Sequence, residues 1–255
     1  MTLFRCLISA AFLVMLSVPA LGSSMAVDRS RVIYLEGQAG SSLTLANTGE
    51  ASTLVQLWVD RGEGDPDSIS PPFVVIPSVL HMPAGSRRTV RVMFAEDDVP
   101  RDRESLYWIN VYQISERAVG SAPGEKQGST LDLALNMQLK LFFRPAQIPN
   151  TPLPLSPSNI QANVNGRDLQ SSIHIKNLSP HFISMVAIDG GETDTSLRWG
   201  TDEDLTLPPF SSRIYQIAPT TLQRALGSKL SDTVRISYID DSGNTSQVSL
   251  PIDND

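Results

Sequence analysis

Leu131-Asp132-Leu133-Ala134-Leu135-Asn136-Met137-Gln138-Leu139-Lys140-Leu141-Phe142-Phe143-Arg144-Pro145 is the stretch that decides the fold. Over its first nine residues Leu131, Leu133, Leu135, Met137 and Leu139 alternate with Asp132, Ala134, Asn136 and Gln138. Side chains that alternate between two faces mark a β-strand. The apolar ribbon is longer than one half of a small sandwich needs. Periodicity leaves two readings open: all five side chains fill the domain's own core, or part of the face is meant for a partner.

Upstream, short runs of the same kind follow one another: Arg31-Val32-Ile33-Tyr34, Ser42-Leu43-Thr44-Leu45, Leu54 to Asp60, Phe73 to Ile76, Thr89 to Phe94 and Leu106 to Ile114. Turn signals separate them, among them Asn47-Thr48-Gly49, Asp65-Pro66 and Pro83-Ala84-Gly85. Strands punctuated by turns about every ten residues predict an all-β sandwich. Ser115 to Thr130 is long for a hairpin loop and rich in Gly, Ser and charge. Pro145, Pro149, Pro152, Pro154 and Pro157 then read as a hinge, because a run with few backbone donors carries few contacts. Beyond it, Ser171 to Lys176, Phe182 to Ile188, Asp204 to Leu207, Arg213 to Ile217, Val234 to Ile239 and Gln247 to Ile252 predict further strands, and Thr221 to Leu226 a helical turn or two. The expected organisation is a signal segment over 1–26, a first domain over 27–148 and a second over 149–255.

The N-terminus carries Arg5, an apolar run from Leu7 to Val18, and small residues at the exit. This is a secretory signal and not a span, with cleavage after Gly22 or Ala26. Cys6 precedes the run, so the mature chain has no cysteine and must hold together by core packing. Roughly 230 mature residues make one or two domains. Loss of Arg5 leaves the chain slightly more acidic than its formal −7. That balance argues against a nucleic-acid partner.

Catalytic patterns are missing. His81, His174 and His181 form no metal-ligand spacing, and neither a nucleophile elbow nor a phosphate loop occurs. Asp202-Glu203-Asp204 and Asp240-Asp241 lack the spacing of a calcium loop, and the first is expected to be solvated loop charge. The unusual charges are Arg31, Lys140 and Arg144, each set at or inside an apolar strand run. A buried cation needs a partner, whereas one on an edge strand can lay its stem along the sheet.

Five segments in collinear order resemble the periplasmic pilus chaperones of the chaperone-usher pathway: Ser30 to Tyr34, Leu54 to Val59, Pro72 to Pro77, Pro100 to Leu106 and Leu139 to Pro145. The second half resembles the family more weakly, in Ile175-Lys176-Asn177 with Pro180 and in Ile239-Asp240-Asp241 before Gly243. The resemblance implies two immunoglobulin-like sandwiches set at an angle around a cleft. It implies a chaperone that completes the sandwich of a pilin subunit with its own strand and hands the subunit to an outer-membrane usher, without ATP, cofactor or metal. Leu131, Leu133 and Leu135 would then occupy subunit pockets, with Met137 a weaker candidate. Arg31 and Lys140 would grip the subunit's C-terminal carboxylate, and Glu104, Arg144 and Asp241 would form an ion network between the domains. An exposed leucine ribbon invites aggregation, so a self-capping homodimer is one expectation for the unloaded protein. The competing reading is a secreted two-domain adhesin or carbohydrate-binding module using Trp108 or Trp199 as a stacking platform.

Overall fold

The computed structural model describes residues 25–67, 71–95, 99–115, 134–151, 154–165, 172–190, 197–199, 204–216 and 232–252. The first half contributes β1 (Met25–Val27), β2 (Arg31–Leu35), β3 (Ser41–Asn47), β4 (Thr53–Asp60), β5 (Phe73–Ile76), β6 (Val79–Met82), β7 (Arg87–Phe94), β8 (Ser105–Ser115) and β9 (Ala134–Arg144). They form two sheets, β1-β3-β7-β5 and β2-β9-β8-β4-β6. Leu43 and Leu45 of β3, Val90 and Val92 of β7, Val55 and Leu57 of β4, and Ile109 and Val111 of β8 turn inward to one core. Each is separated from the next by an outward residue, so sequence alternation becomes sandwich packing. At one end Tyr34, Phe73, Phe94, Tyr107 and Phe143 stack or meet edge to face, with Phe94 and Phe143 only 4.5 Å apart between centroids.

The second half contributes β10 (Ile160–Asn165), β11 (Ser172–Asn177), β12 (Ile183–Gly190), β13 (Leu197–Trp199), β14 (Thr206–Leu207), β15 (Ser212–Gln216), β16 (Thr233–Ile239) and β17 (Thr245–Pro251). Its sheets run β10-β11-β15 and β13-β12-β16-β17, with β14 also on β12. Ile160, Ile173, Ile175, Ile188, Tyr215, Val234, Ile236 and Leu250 fill a separate core. The molecule is therefore all-β, two immunoglobulin-like sandwiches in sequence.

Four strands escaped the sequence reading. β1 is short, β6 pairs only with β4 at an edge, and β10 spends its outward positions on Gln161 and Asn163. Such residues have low strand propensity, and tertiary pairing overrides it. β13 is the fourth, three residues on the edge of its sheet. The expected strand from Asp204 shrinks to Thr206–Leu207, because Asp204 instead takes Thr206 N (3.1 Å) and Oγ1 (2.7 Å) on its own carboxylate. The loop over 116–130 and the turn over 221–226 lie outside the described residues.

The proline-rich linker also differs from a loose hinge. Ile148 is buried, Ala146 N donates to Glu36 Oε2 (2.8 Å), and the Pro149 carbonyl meets His181 Nε2 at 2.9 Å. Proline removes donors but leaves carbonyls, and these carbonyls are used.

Candidate functional site

β2 runs parallel to β9 and places Arg31 directly opposite Lys140. The two cations, far apart in sequence, therefore lie side by side on one sheet. Each is bordered by an aromatic ring: the Arg31 guanidinium lies 5.8 Å from the Phe142 centroid and the Lys140 ammonium 5.3 Å from that of Trp108. From the second sandwich, the Ile239 carbonyl accepts from Arg31 at 3.2 Å, and Asp204 meets Lys140 Nζ at 3.2 Å, with Thr206 Oγ1 beside it. The pair thus sits where the two sandwiches meet.

Of the two, Arg31 keeps an unpartnered donor among the described residues. It is 8% exposed, and that donor is its Nε. Burial lowers its pKa, although Asp241, Asp240 and Glu104 pull the other way. Burial likewise lowers Lys140, with Arg31 adding to the fall and Asp204 opposing it. A desolvated cation with a spare donor is chemically suited to an anion, since a carboxylate restores both charge balance and hydrogen bonds.

Arg144, four residues further along β9, stands in a different setting. Its Nε donates to Glu104 Oε1 (2.7 Å) and its two terminal nitrogens to Asp241 Oδ2 (2.7 Å) and Oδ1 (3.1 Å), with the Asn150 carbonyl as a further acceptor. Glu104 also accepts from Phe182 N at 2.7 Å, and Glu104 N donates to the Pro180 carbonyl at 2.9 Å. Burial raises Glu104 against the pull of Arg144, while Asp241 and Glu104 outweigh burial on Arg144 and keep it charged. The neighbouring Asp240 is engaged elsewhere: its Oδ1 accepts from Ser242 N and Asn244 N in the hairpin turn, and Asp241 faces Arg144.

Along β9 the apolar face changes surroundings. Leu141 is 0% and Leu139 4% exposed within the first core, Met137 is partly buried against it, and Leu135 is 45% exposed. Leu131 and Leu133 lie outside the described residues. Trp108 is half-buried and occupied by Lys140, which leaves it a poor open platform for a sugar.

Sequence reasoning did not single out Asp204 and Thr206 as neighbours of Lys140. Asp204 belongs to a run expected to be solvated charge, and its partner Lys140 comes from the first sandwich. Among the described residues no group of three or more His, Cys, Asp or Glu side chains is placed to hold a metal.

Two such sandwiches, a strand whose apolar face outruns its own core, and a cation pair at their junction fit the class of two-domain assembly chaperones. Residues 24–149 match the family model "Pili and flagellar-assembly chaperone, PapD N-terminal domain", and 156–250 match "Pili assembly chaperone PapD, C-terminal domain". The chain belongs to this pili-assembly chaperone family, whose members fold and assemble subunits and are not enzymes. Chaperone protein FimB/FhaD of Bordetella pertussis is 30% identical over 212 residues, 80% of this chain and 82% of that relative. Chaperone protein FimC of Escherichia coli K12 is 31% identical over 183 residues, 71% of this chain and 70% of that relative. Among solved structures, the YadV chaperone superposes with a TM-score of 0.67 at 24% identity, covering 90% of this chain and all of that one. The SafB chaperone, solved in complex with the SafA pilin of Salmonella enterica, gives 0.70 at 22% identity, covering 92% and 99%. At these identities the structural likeness is one of fold.

Proposed function

We propose that this chain is a periplasmic chaperone that binds, folds and caps pilin subunits by lending them β9, and delivers them to an outer-membrane usher. The observation that carries the reading is the passage of the β9 apolar face out of its own core, from Leu141 at 0% to Leu135 at 45% exposure. An extended strand added to an incomplete sheet gains main-chain hydrogen bonds from any sequence, while alternate side chains choose pockets and register. Pilus chaperones and pilins are a known example of that mode. Leu131, Leu133 and Leu135 would enter subunit pockets, with Met137 contributing less because it already leans on the chaperone core. Three leucines contribute roughly 5–9 kcal/mol before association and ordering costs, so apolar burial alone leaves moderate binding.

Arg31 and Lys140 supply the rest by holding the subunit's C-terminal carboxylate. A charge-assisted anchor fixes the end of the added strand and with it the register. Glu104, Arg144 and Asp241 hold the two sandwiches in the relation that keeps this anchor assembled. The domains divide near residue 148, in keeping with family matches that end at 149 and resume at 156. Secretion follows from the N-terminal signal, and cleavage ahead of Met25 is the better placed of the two exits. Met25–Val27 pairs with Asn47–Leu45 and Met25 is buried, so a cut after Ala26 would remove most of β1.

The test is co-expression with a pilin of the same organism and recovery of soluble complex from the periplasm. Arg31→Ala and Lys140→Ala are expected to abolish recovery while each variant keeps the wild-type circular dichroism spectrum. Undiminished recovery in both would overturn the anchor. Glycan binding lost on removal of an exposed tryptophan would favour the adhesin reading.

A further inference from the structure

The apolar face of β9 has a weakness as a donor. It repeats leucine at nearly every second position, from Leu131 to Leu141, broken only by Met137. A slip of one residue would turn this face to solvent and is strongly opposed. A slip or bulge of two residues sets leucine on leucine, and nothing on that face resists it. Between Leu139 and Arg144 the strand is fixed by the core and the Arg144 network. From Ala134 to Gln138 the face is largely uncovered, so its alignment must come from the other side.

That side carries a buried polar group on the neighbouring strand. Asn110 of β8 faces away from the core, opposite Gln138, yet is 0% exposed. Its Oδ1 accepts from both Asn136 Nδ2 (2.9 Å) and Gln138 Nε2 (2.9 Å), the two amides of the donor arm. Its Nδ2 donates to Asp60 Oδ2 at 2.8 Å. Asp60, also 0% exposed, takes Gly62 N (2.8 Å) on Oδ1 and Gly64 N (2.8 Å) and Trp58 Nε1 (3.3 Å) on Oδ2. A carboxylate only accepts, so Asp60 forces the amide nitrogen of Asn110 toward itself and leaves the oxygen for the arm. The loop lies close above. A Cβ on Gly64, whose φ is +72°, would come within 3.4 Å of Gln138 Nε2 and 3.8 Å of Asn136 Nδ2.

We propose that Asn110, oriented by Asp60, is a positioning residue that locks the register of the donor arm from its polar face. A two-residue slip in one direction brings Ala134 to Asn110 and leaves it one donor short. The opposite slip brings Lys140 there and takes it from Arg31, Asp204 and Thr206. Either way buried polar groups lose partners, which the leucine face alone would not enforce. The lock also keeps the arm extended before a subunit arrives, so less ordering is needed on binding.

This inference rests on the strand-lending reading, but its test uses the free chaperone alone. In the Asn136→Ala/Gln138→Ala double variant, both positions being exposed, the β8-bonded amides of residues 134–138 are expected to exchange with deuterium at least ten-fold faster. Those of 139–144 should not move, and the urea midpoint should fall only by what the two lost bonds to Asn110 cost. Asn110→Ala should show the same split, with some loss of midpoint because Asp60 loses one of its four donors. Unchanged exchange over 134–138 in the double variant, or equal acceleration across all of β9, overturns the lock. Retained pilin recovery in Leu135→Asp would instead overturn the strand-lending reading and leave the exchange result standing.

Discussion

β9 is one strand with two halves. From Leu139 to Arg144 it is core: Leu139, Leu141 and Phe143 are buried, and Arg144 reaches acceptors on three sides. From Ala134 to Gln138 the same alternation continues, with Leu135 45% exposed. Lys140 stands at the join, held by Asp204 and Thr206 of the second sandwich. The difference teaches that a strand can be anchored by one half and offered by the other, provided the anchored half needs nothing from the partner. Apolar burial and the Arg144 network mark the anchored half, and exposed apolar surface marks the other.

Removing Arg144 should break the anchored half most severely. Arg144→Ala leaves Glu104 buried without its cation and is expected to lower unfolding free energy by about 3–5 kcal/mol, read from urea denaturation. A loss below about 1 kcal/mol would place this network with ordinary surface ion pairs. The contrast between halves sharpens with two leucines on the same face. Leu139→Ala should lower stability by about 2–5 kcal/mol, while Leu135→Ala should stay within about 0.5 kcal/mol and weaken pilin recovery. Equal costs at the two positions would erase the division.

The smallest effect probes the join. Asp204 has a lowered pKa: burial opposes this, but Thr206 and Lys140 outweigh it. It therefore contributes stability above the ordinary carboxylate range that fades as pH falls through its folded value, a contribution screened because the side chain is 60% exposed. Lys140 shows the same direction of dependence in an alkaline window, where burial of the charged form costs stability until the proton is lost. Its folded pKa lies below the ordinary lysine value, so stability rises with pH between the two. In Asp204→Asn the remaining influences on Lys140 are burial and Arg31, both lowering. Its titration, followed by the lysine side-chain NMR signals, should move to lower pH, and the alkaline gain in stability should begin earlier. A Lys140 titration that stays put would separate it from Asp204.

Alternation and turn chemistry carried much of the fold, because a half-buried strand must alternate and a turn must bend. The edge strands β1, β6 and β13 were illegible, being too short or too one-sided in their pairing to impose a pattern. Arg31, Lys140 and Arg144 stood out as cations in apolar runs, since a charge in such a place demands an explanation. What the sequence by itself determined is the strand, its two faces and the presence of misplaced charges. Tertiary structure alone decided which cation keeps an unpartnered donor, that Asp204 meets Lys140, and that Asn110 joins Asp60 to Asn136 and Gln138. Those facts depend on residues brought together across strands and across two sandwiches, and periodicity along one strand carries no information about what faces it.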